Sequence, residues 1–189
     1  MGDIVQNKKY HEVIKYGITL RRLDTDDLEL LRGWRNDPKI ANQMNYREYI
    51  TPGMQKKWFS TINNSNNFYF IIIAEGKKIG LADLKDIDYG KKSWEAGLFI
   101  YNDNFLGTLV PFQIFLAQYD FGFFDLNLET CYGKVLNSNT NAIKFNASFG
   151  YTLEPGQDGL VHQKYVLTKE LYITRKEQLL KKLSKFIDL

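Results

Sequence analysis

Residues 108–124, TLVPFQIFLAQYDFGFF, are apolar almost all round and carry Pro111 where a helix's first turn tolerates it, so they read as a buried helix. Strand-like segments flank them, 93–101 and 130–136. A helix joining two strands of one sheet is a crossover, and the strands it joins lie parallel. The chain is thereby committed to a mixed α/β domain. A helix without a polar face also needs cover on its far side, which, with an aromatic-rich sheet edge, points to a homodimer.

The remaining elements are built around that crossover. Residues 18–23 alternate as a strand and run into Asp24, an N-cap followed by Asp26 and Asp27, where a helix N-terminus favours negative charge. The first helix ends near Asn36-Asp37-Pro38. Thr51-Pro52 opens a second helix on which Met54, Trp58 and Ile62 recur at spacing four. Segments 67–74, 78–88 and 93–101 form an antiparallel meander with short turns at Glu75-Gly76-Lys77 and Tyr89-Gly90-Lys91. After the crossover come a strand at 130–136, a short helix at 139–149 stopped by Gly150, and two strands within 151–171 about Pro155-Gly156. Thr174 and Glu177 have capping-box spacing for a last helix. The chain divides into a lead, 1–16, one α/β domain, 17–172, and a basic C-terminal helix, 173–189.

Composition excludes several classes of function. The longest apolar run, 68–74, is strand-sized, so no membrane is expected. Met1 precedes a polar stretch rather than an apolar secretory core, and Cys131 is the only cysteine, which together suggest the cytoplasm. A net charge of +3 forms no basic stripe, so a nucleic acid polymer is not expected as a partner. His11 and His162 have no zinc-like spacing with Cys131, so no metal is expected, and Cys131 reads as a small core residue. The 28 aromatic residues and 15 asparagines suit stacking and neutral polar recognition as well as core and turns.

The order of elements, with Trp34-Arg35-Asn36-Asp37 after the first helix, Trp58-Phe59 on the second, Ile79-Gly80 in the meander and NTNAIKFNASFGY at 139–151, resembles the GNAT superfamily of acyl-CoA N-acyltransferases. The likeness covers roughly residues 17–172 and is greatest to the branch that N-acylates nucleotide-linked deoxyamino sugars. It implies a GNAT fold, a central mostly antiparallel, splayed sheet with helices on both faces. It implies acetyl-CoA or another short acyl-CoA as co-substrate and a dTDP- or UDP-linked amino sugar as acceptor, attacked directly in a ternary complex. The second reading is a ribosomal-protein-type N-terminal acetyltransferase. The third is a degenerate domain that binds acyl-CoA without transferring its acyl group. Two departures bear on the third. The pyrophosphate loop keeps one glycine, Gly107, whose position in the loop stays open between an early and the last place. The tyrosine that often protonates the departing thiolate is replaced by Asn146.

Acyl transfer needs a neutral amine, adjacent reactants, a stabilised carbonyl oxygen and a protonated leaving group. Through the resemblance, the main base candidate is Glu95, which shares a strand face with Gly97 and Phe99, and its alternative is a solvated carboxylate. Asp83 on the neighbouring strand is the weaker candidate. Asn146 is expected to position rather than protonate, because a carboxamide is no acid near neutral pH. Acyl-CoA would be held by backbone groups of Phe99, Tyr101, Gly107, Thr108 and Leu109, and by Asn139 and Asn146. The acceptor would meet Met44, Asn45, Tyr46 and Trp58, with Arg35 and Lys57 as diphosphate partners. Trp58, like Trp34, also reads as core. Residues 41–62 carry Arg47, Lys56 and Lys57 against Glu48 alone, a sign that favours an anionic acceptor over a cationic peptide.

Overall fold

The structure is a computed structural model and describes residues 10–44 and 46–183. Eight strands form one sheet: β1 (Glu12–Lys15), β2 (Ile18–Arg22), β3 (Phe68–Ala74), β4 (Lys77–Asp88), β5 (Ser93–Ile100), β6 (Thr130–Leu136), β7 (Thr152–Leu153) and β8 (His162–Thr168). Their spatial order is β1-β2-β3-β4-β5-β6-β8-β7, antiparallel throughout except for the parallel pair β5–β6. The helices are α1 (Leu28–Asn36), α2 (Pro38–Ala41), α3 (Pro52–Ile62), α4 (Val110–Asp120), α5 (Thr140–Ser148) and α6 (Lys169–Leu183). The crossover is as expected: α4, ending in a π-turn at Phe121–Asp125, connects the two parallel strands.

The sheet separates two apolar layers. On one face Ile18, Leu20, Phe70, Leu84, Trp94 and Cys131 pack with Ile114, Phe115 and Leu116 of α4 and with Tyr172 of α6. On the other, Leu28, Leu31 and Trp34 of α1 lie on Tyr69, Ile71 and Leu81, with Trp58 and Phe59 of α3 at the margin. Helix α4 finds its cover within the chain. Tyr172 (2.7 Å) and Lys176 (2.7 Å) of α6 both donate to the buried Asp120, so the helix itself gives no reason for a second copy.

Three sequence expectations need correction. The segment read as a lead contains β1, which pairs with β2 through a two-residue turn, Tyr16-Gly17, with φ of 55° and 73°. Such turns normally carry asparagine or aspartate first; here the Tyr16 hydroxyl is anchored on Asp120 at 2.6 Å. The last helix starts at Lys169, inside the segment assigned to the domain, with the Thr168 hydroxyl accepting from the Leu171 N–H (3.4 Å). Thr174 makes no capping box, because its hydroxyl donates to the Glu170 carbonyl within the helix (3.1 Å). That helix packs on the domain, since Tyr172 is buried and Lys176 is paired with Asp120.

Candidate active site

The β5–β6 ladder runs only from Ser93↔Thr130 to Ala96↔Gly133. Beyond it, β5 continues along β4 to Ile100 and β6 along β8 to Leu136, so the two strands part. The wedge between them opens into a cleft of about 920 Å³ whose walls include residues 96–100 of β5 and 133–136 of β6. Helix α5 and the start of α4 line one part of it, and residues from α1 and α3 with Gln43, Met44 and Tyr46 line another.

At the centre, Asp83 of β4 stands opposite Gly97 of β5. The missing side chain at 97 makes room for the carboxylate: a Cβ there would be 2.8 Å from the Asp83 Cγ. Asp83 is 8% exposed, its Oδ1 accepts no hydrogen bond among the described residues, and its nearest cation, Lys85, is 3.9 Å away. Burial pushes its pKa up to about 6; Lys85 and Arg35 pull against that, and Glu95 adds to it. From beneath the sheet, Gln118 of α4 donates through Nε2 to the carbonyls of both Asp83 (2.8 Å) and Gly97 (3.0 Å). Two carbonyl partners fix which end of the amide is nitrogen, and the remaining Oε1 has no partner among the described residues.

Glu95 is also in the cleft, but both of its oxygens are taken. Oε1 lies 3.0 Å from Lys85 Nζ and Oε2 2.6 Å from Lys134 Nζ, the latter reaching across from β6. Burial alone would raise its pKa, but the two lysines outweigh it and hold the carboxyl below the usual range.

In the acceptor half, Arg35 extends from α1 with its guanidinium 5.2 Å from the Trp58 ring. It has no ion pair or hydrogen bond among the described residues, and burial lowers its pKa. Trp58 meets Tyr69 edge-on at 5.0 Å, and both line the cleft with Met44 and Tyr46. Lys57 is exposed and does not reach the cleft, so it is no partner to Arg35 there. Asn45 lies outside the described residues. Trp34 is core, stacked on Tyr101 at 5.4 Å.

In the other half, Phe99, Gly107, Asn139 and Asn146 line the cleft, while Tyr101, Thr108 and Leu109 do not. The backbone groups of Tyr101 are already engaged, its N–H with the Ile79 carbonyl (2.7 Å) and its carbonyl with Lys39 Nζ (2.6 Å). The Thr108 hydroxyl accepts from the Val110 N–H (3.1 Å) and Pro111 has no N–H, so neither Val110 nor Pro111 offers a backbone donor at the start of α4. Gly107, at φ 75°, turns the chain two residues before the Leu109 cap. Asn139 caps α5 with its oxygen (3.1 Å to the Ala142 N–H), which leaves its NH2 for a ligand. The Asn146 carboxamide makes no hydrogen bond among the described residues.

The structure thus collects Asp83, Glu95, Asn146, Phe99, Gly107, Asn139, Met44, Tyr46, Trp58 and Arg35 in one cleft. Sequence reasoning missed Lys85, Lys134 and Gln118, and only the glycine inside β5 signalled a close approach. Cys131 is buried, with its sulfur 2.9 Å from the Tyr151 hydroxyl and its thiol pushed up by burial, as suits a core residue. Among the described residues no cluster of His, Cys, Asp and Glu could hold a metal, and no helix is long and apolar enough to cross a membrane.

A sequence model of the family described as "Acetyltransferase (GNAT) domain" matches residues 18–152. An uncharacterized N-acetyltransferase, p20 of Bacillus licheniformis, is 25% identical over 143 residues, 72% of this chain and 80% of that protein. Among solved structures, apo FdhC, a nucleotide-linked sugar GNAT, superposes with a TM-score of 0.74 at 22% identity, covering 89% of this chain and 96% of that one. A spermidine N-acetyltransferase from Vibrio cholerae, in complex with CoA and spermine, gives 0.70 at 19% identity, covering 83% and 98%. At such identities the two structures speak for the fold.

Proposed function

The chain belongs to the GNAT acetyltransferase family and is an acyl-CoA-dependent N-acyltransferase; on that premise we propose that its acceptor is the amine of a nucleotide-linked deoxyamino sugar. The acyl group is acetyl or another short one, and the amine attacks the thioester directly in a ternary complex. Acyl-CoA occupies the wedge between β5 and β6, near Phe99, Gly107, Asn139 and Asn146.

The observation that carries the acceptor is the charge left over in the cleft. Lys39 pairs with Asp103, and Lys85 and Lys134 pair with Glu95. Arg35 remains without an ion pair among the described residues, and Asp83 has only Lys85, at 3.9 Å, so one positive and one negative group are left for a ligand. A guanidinium is always charged, and leaving it half-buried without a counter-charge is costly. An acceptor with an anionic group for Arg35 and an amine for Asp83 satisfies both. A sugar carrying an amine and a nucleoside diphosphate has both groups, and Tyr46, Trp58 and Tyr69 offer faces for its rings. A polyamine, as in the Vibrio cholerae complex, is cationic throughout and would meet Arg35 with like charge.

Thiol release from acetyl-CoA, measured with dTDP- and UDP-linked amino sugars, spermidine and a peptide with a free N-terminus, tests the reading. Turnover is expected with a nucleotide-linked sugar and not with spermidine. Preference for spermidine or the peptide overturns the acceptor, and CoA binding without transfer to any amine favours the degenerate reading.

A further inference from the structure

We propose that Asp83, and not Glu95, is the base that removes the proton from the acceptor's ammonium, and that Glu95 serves to hold Lys85 away from it. This rests on the acyl-transfer reading above. A base needs an open lone pair where the substrate lies. Asp83 lines the cleft and accepts no hydrogen bond on either side-chain oxygen among the described residues, its buried Oδ1 standing 3.9 Å from Lys85, whereas each oxygen of Glu95 lies within 3.0 Å of an ammonium.

The charged and titratable groups facing Asp83 come from three strands and two helices. They are Lys85 and Asp86 on its own strand, Glu95 on β5, Tyr69 on β3, Arg35 from α1 and Tyr119 from α4. Lys85 decides the balance. It could neutralise Asp83, but it stands 3.0 Å from Glu95 and 3.9 Å from Asp83, because Glu95, itself anchored by Lys134, draws it aside. Asp83 is left buried and ionisable near neutral pH, the range in which a base works best. Gly97 provides its space and Gln118 fixes the backbone on either side.

In the step, Asp83 takes one proton from the ammonium. The freed nitrogen lone pair attacks the thioester carbon, and a carbonyl pair moves onto oxygen. The intermediate then collapses, the carbonyl re-forms and the C–S bond breaks. The proton still carried in excess by nitrogen goes to the thiolate, and the one on Asp83 is lost to water. Ammonium and thioester thus give amide, thiol and one proton.

The test is the pH dependence of kcat/KM with acetyl-CoA and a nucleotide-linked amino sugar, for wild type, Asp83→Asn and Glu95→Gln. Wild type is expected to show an acid limb near pH 6. Asp83→Asn loses that limb and about 10²–10⁴-fold in rate, with calorimetric CoA affinity retained as the check on folding. Glu95→Gln removes a negative neighbour and frees Lys85 to approach Asp83. Its limb therefore persists and moves to lower pH, a shift that a purely structural role would not produce. Loss of the limb in Glu95→Gln, or its survival unchanged in Asp83→Asn, overturns the assignment while leaving the acyltransferase reading intact. A wild type that transfers to no amine overturns both.

Discussion

Replacing Gly97 by alanine perturbs the site through its geometry alone, with every charged group left in place. The new Cβ would stand 2.8 Å from both the Asp83 Cγ and its Oδ1, and nearer still to its Oδ2. Non-bonded carbons settle at about 3.5–4.0 Å, so the carboxylate must give way by about 1 Å. Gly97 has no positive φ, so alanine suits its backbone, and losing a glycine from a strand recovers about 0.5–1 kcal/mol, which partly offsets the crowding. The fold is therefore retained. A misplacement of about 1 Å costs on the order of 10²-fold in rate, equivalent to about 2.7 kcal/mol of barrier. Steady-state thiol release with a nucleotide-linked amino sugar is expected to show that loss in kcat, with calorimetric CoA affinity retained. Wild-type kcat in a folded Gly97→Ala variant would refute the reasoning, because it would mean that the position of the Asp83 carboxylate is immaterial.

Asp83→Asn also has a signature in stability. Its native pKa of about 6 lies above the unfolded value of 3.8, so the native state binds the extra proton between those values and stability falls as pH rises through them. The cost of the ionised carboxylate at pH 8 is about 3 kcal/mol, so thermal melts should show Asp83→Asn gaining on wild type by several degrees between pH 4 and pH 8, and a pH-independent difference would refute the burial argument. Asp27 behaves in the opposite way. It is fully buried and accepts from Arg21 (2.7 Å) and Lys78 (2.8 Å); burial opposes its ionisation, but those partners win and lower its pKa. Its contribution is present above the unfolded pKa and lost as pH falls through the native one; Asp27→Asn is expected to cost about 3–5 kcal/mol in urea unfolding at pH 7 and less in acid. Arg35→Gln should raise KM for the sugar nucleotide about tenfold or more with kcat little changed, an effect reduced by salt; an unchanged KM would remove Arg35 from acceptor binding.

Much of this arrangement was legible in the sequence. The all-round apolarity of 108–124 specified the crossover, and the period-2 alternation placed Glu95, Gly97 and Phe99 on one face of β5. The Tyr16-Gly17 hairpin was hidden because tyrosine is not a residue that marks a turn with positive φ, and what holds it there is Asp120, far along the chain. The choice between Glu95 and Asp83 was hidden for a related reason. The pairing of Glu95 with Lys134 depends on the parallel register of β5 and β6, which no local pattern encodes. Gly97 was the one local clue. Read as a close approach rather than a weak strand residue, it points to whatever lies opposite, and that is Asp83.

Helix α4 connects fold and chemistry more closely than its apolar surface suggests. Two buried polar side chains on it, Gln118 and Asp120, are only two residues apart, yet they serve different parts of the molecule. Asp120 binds Tyr16, Tyr172 and Lys176, fastening the edge hairpin and α6 to the helix. Gln118 reaches the sheet and holds the carbonyls of Asp83 and Gly97 from below. The helix that makes β5 and β6 parallel therefore also steadies the cross-strand pair beside the point where those strands part. A hydrophobic side chain would fill the place of Gln118 but hold neither carbonyl. The buried amide thus makes sense as a constraint on where the Asp83 carboxylate stands.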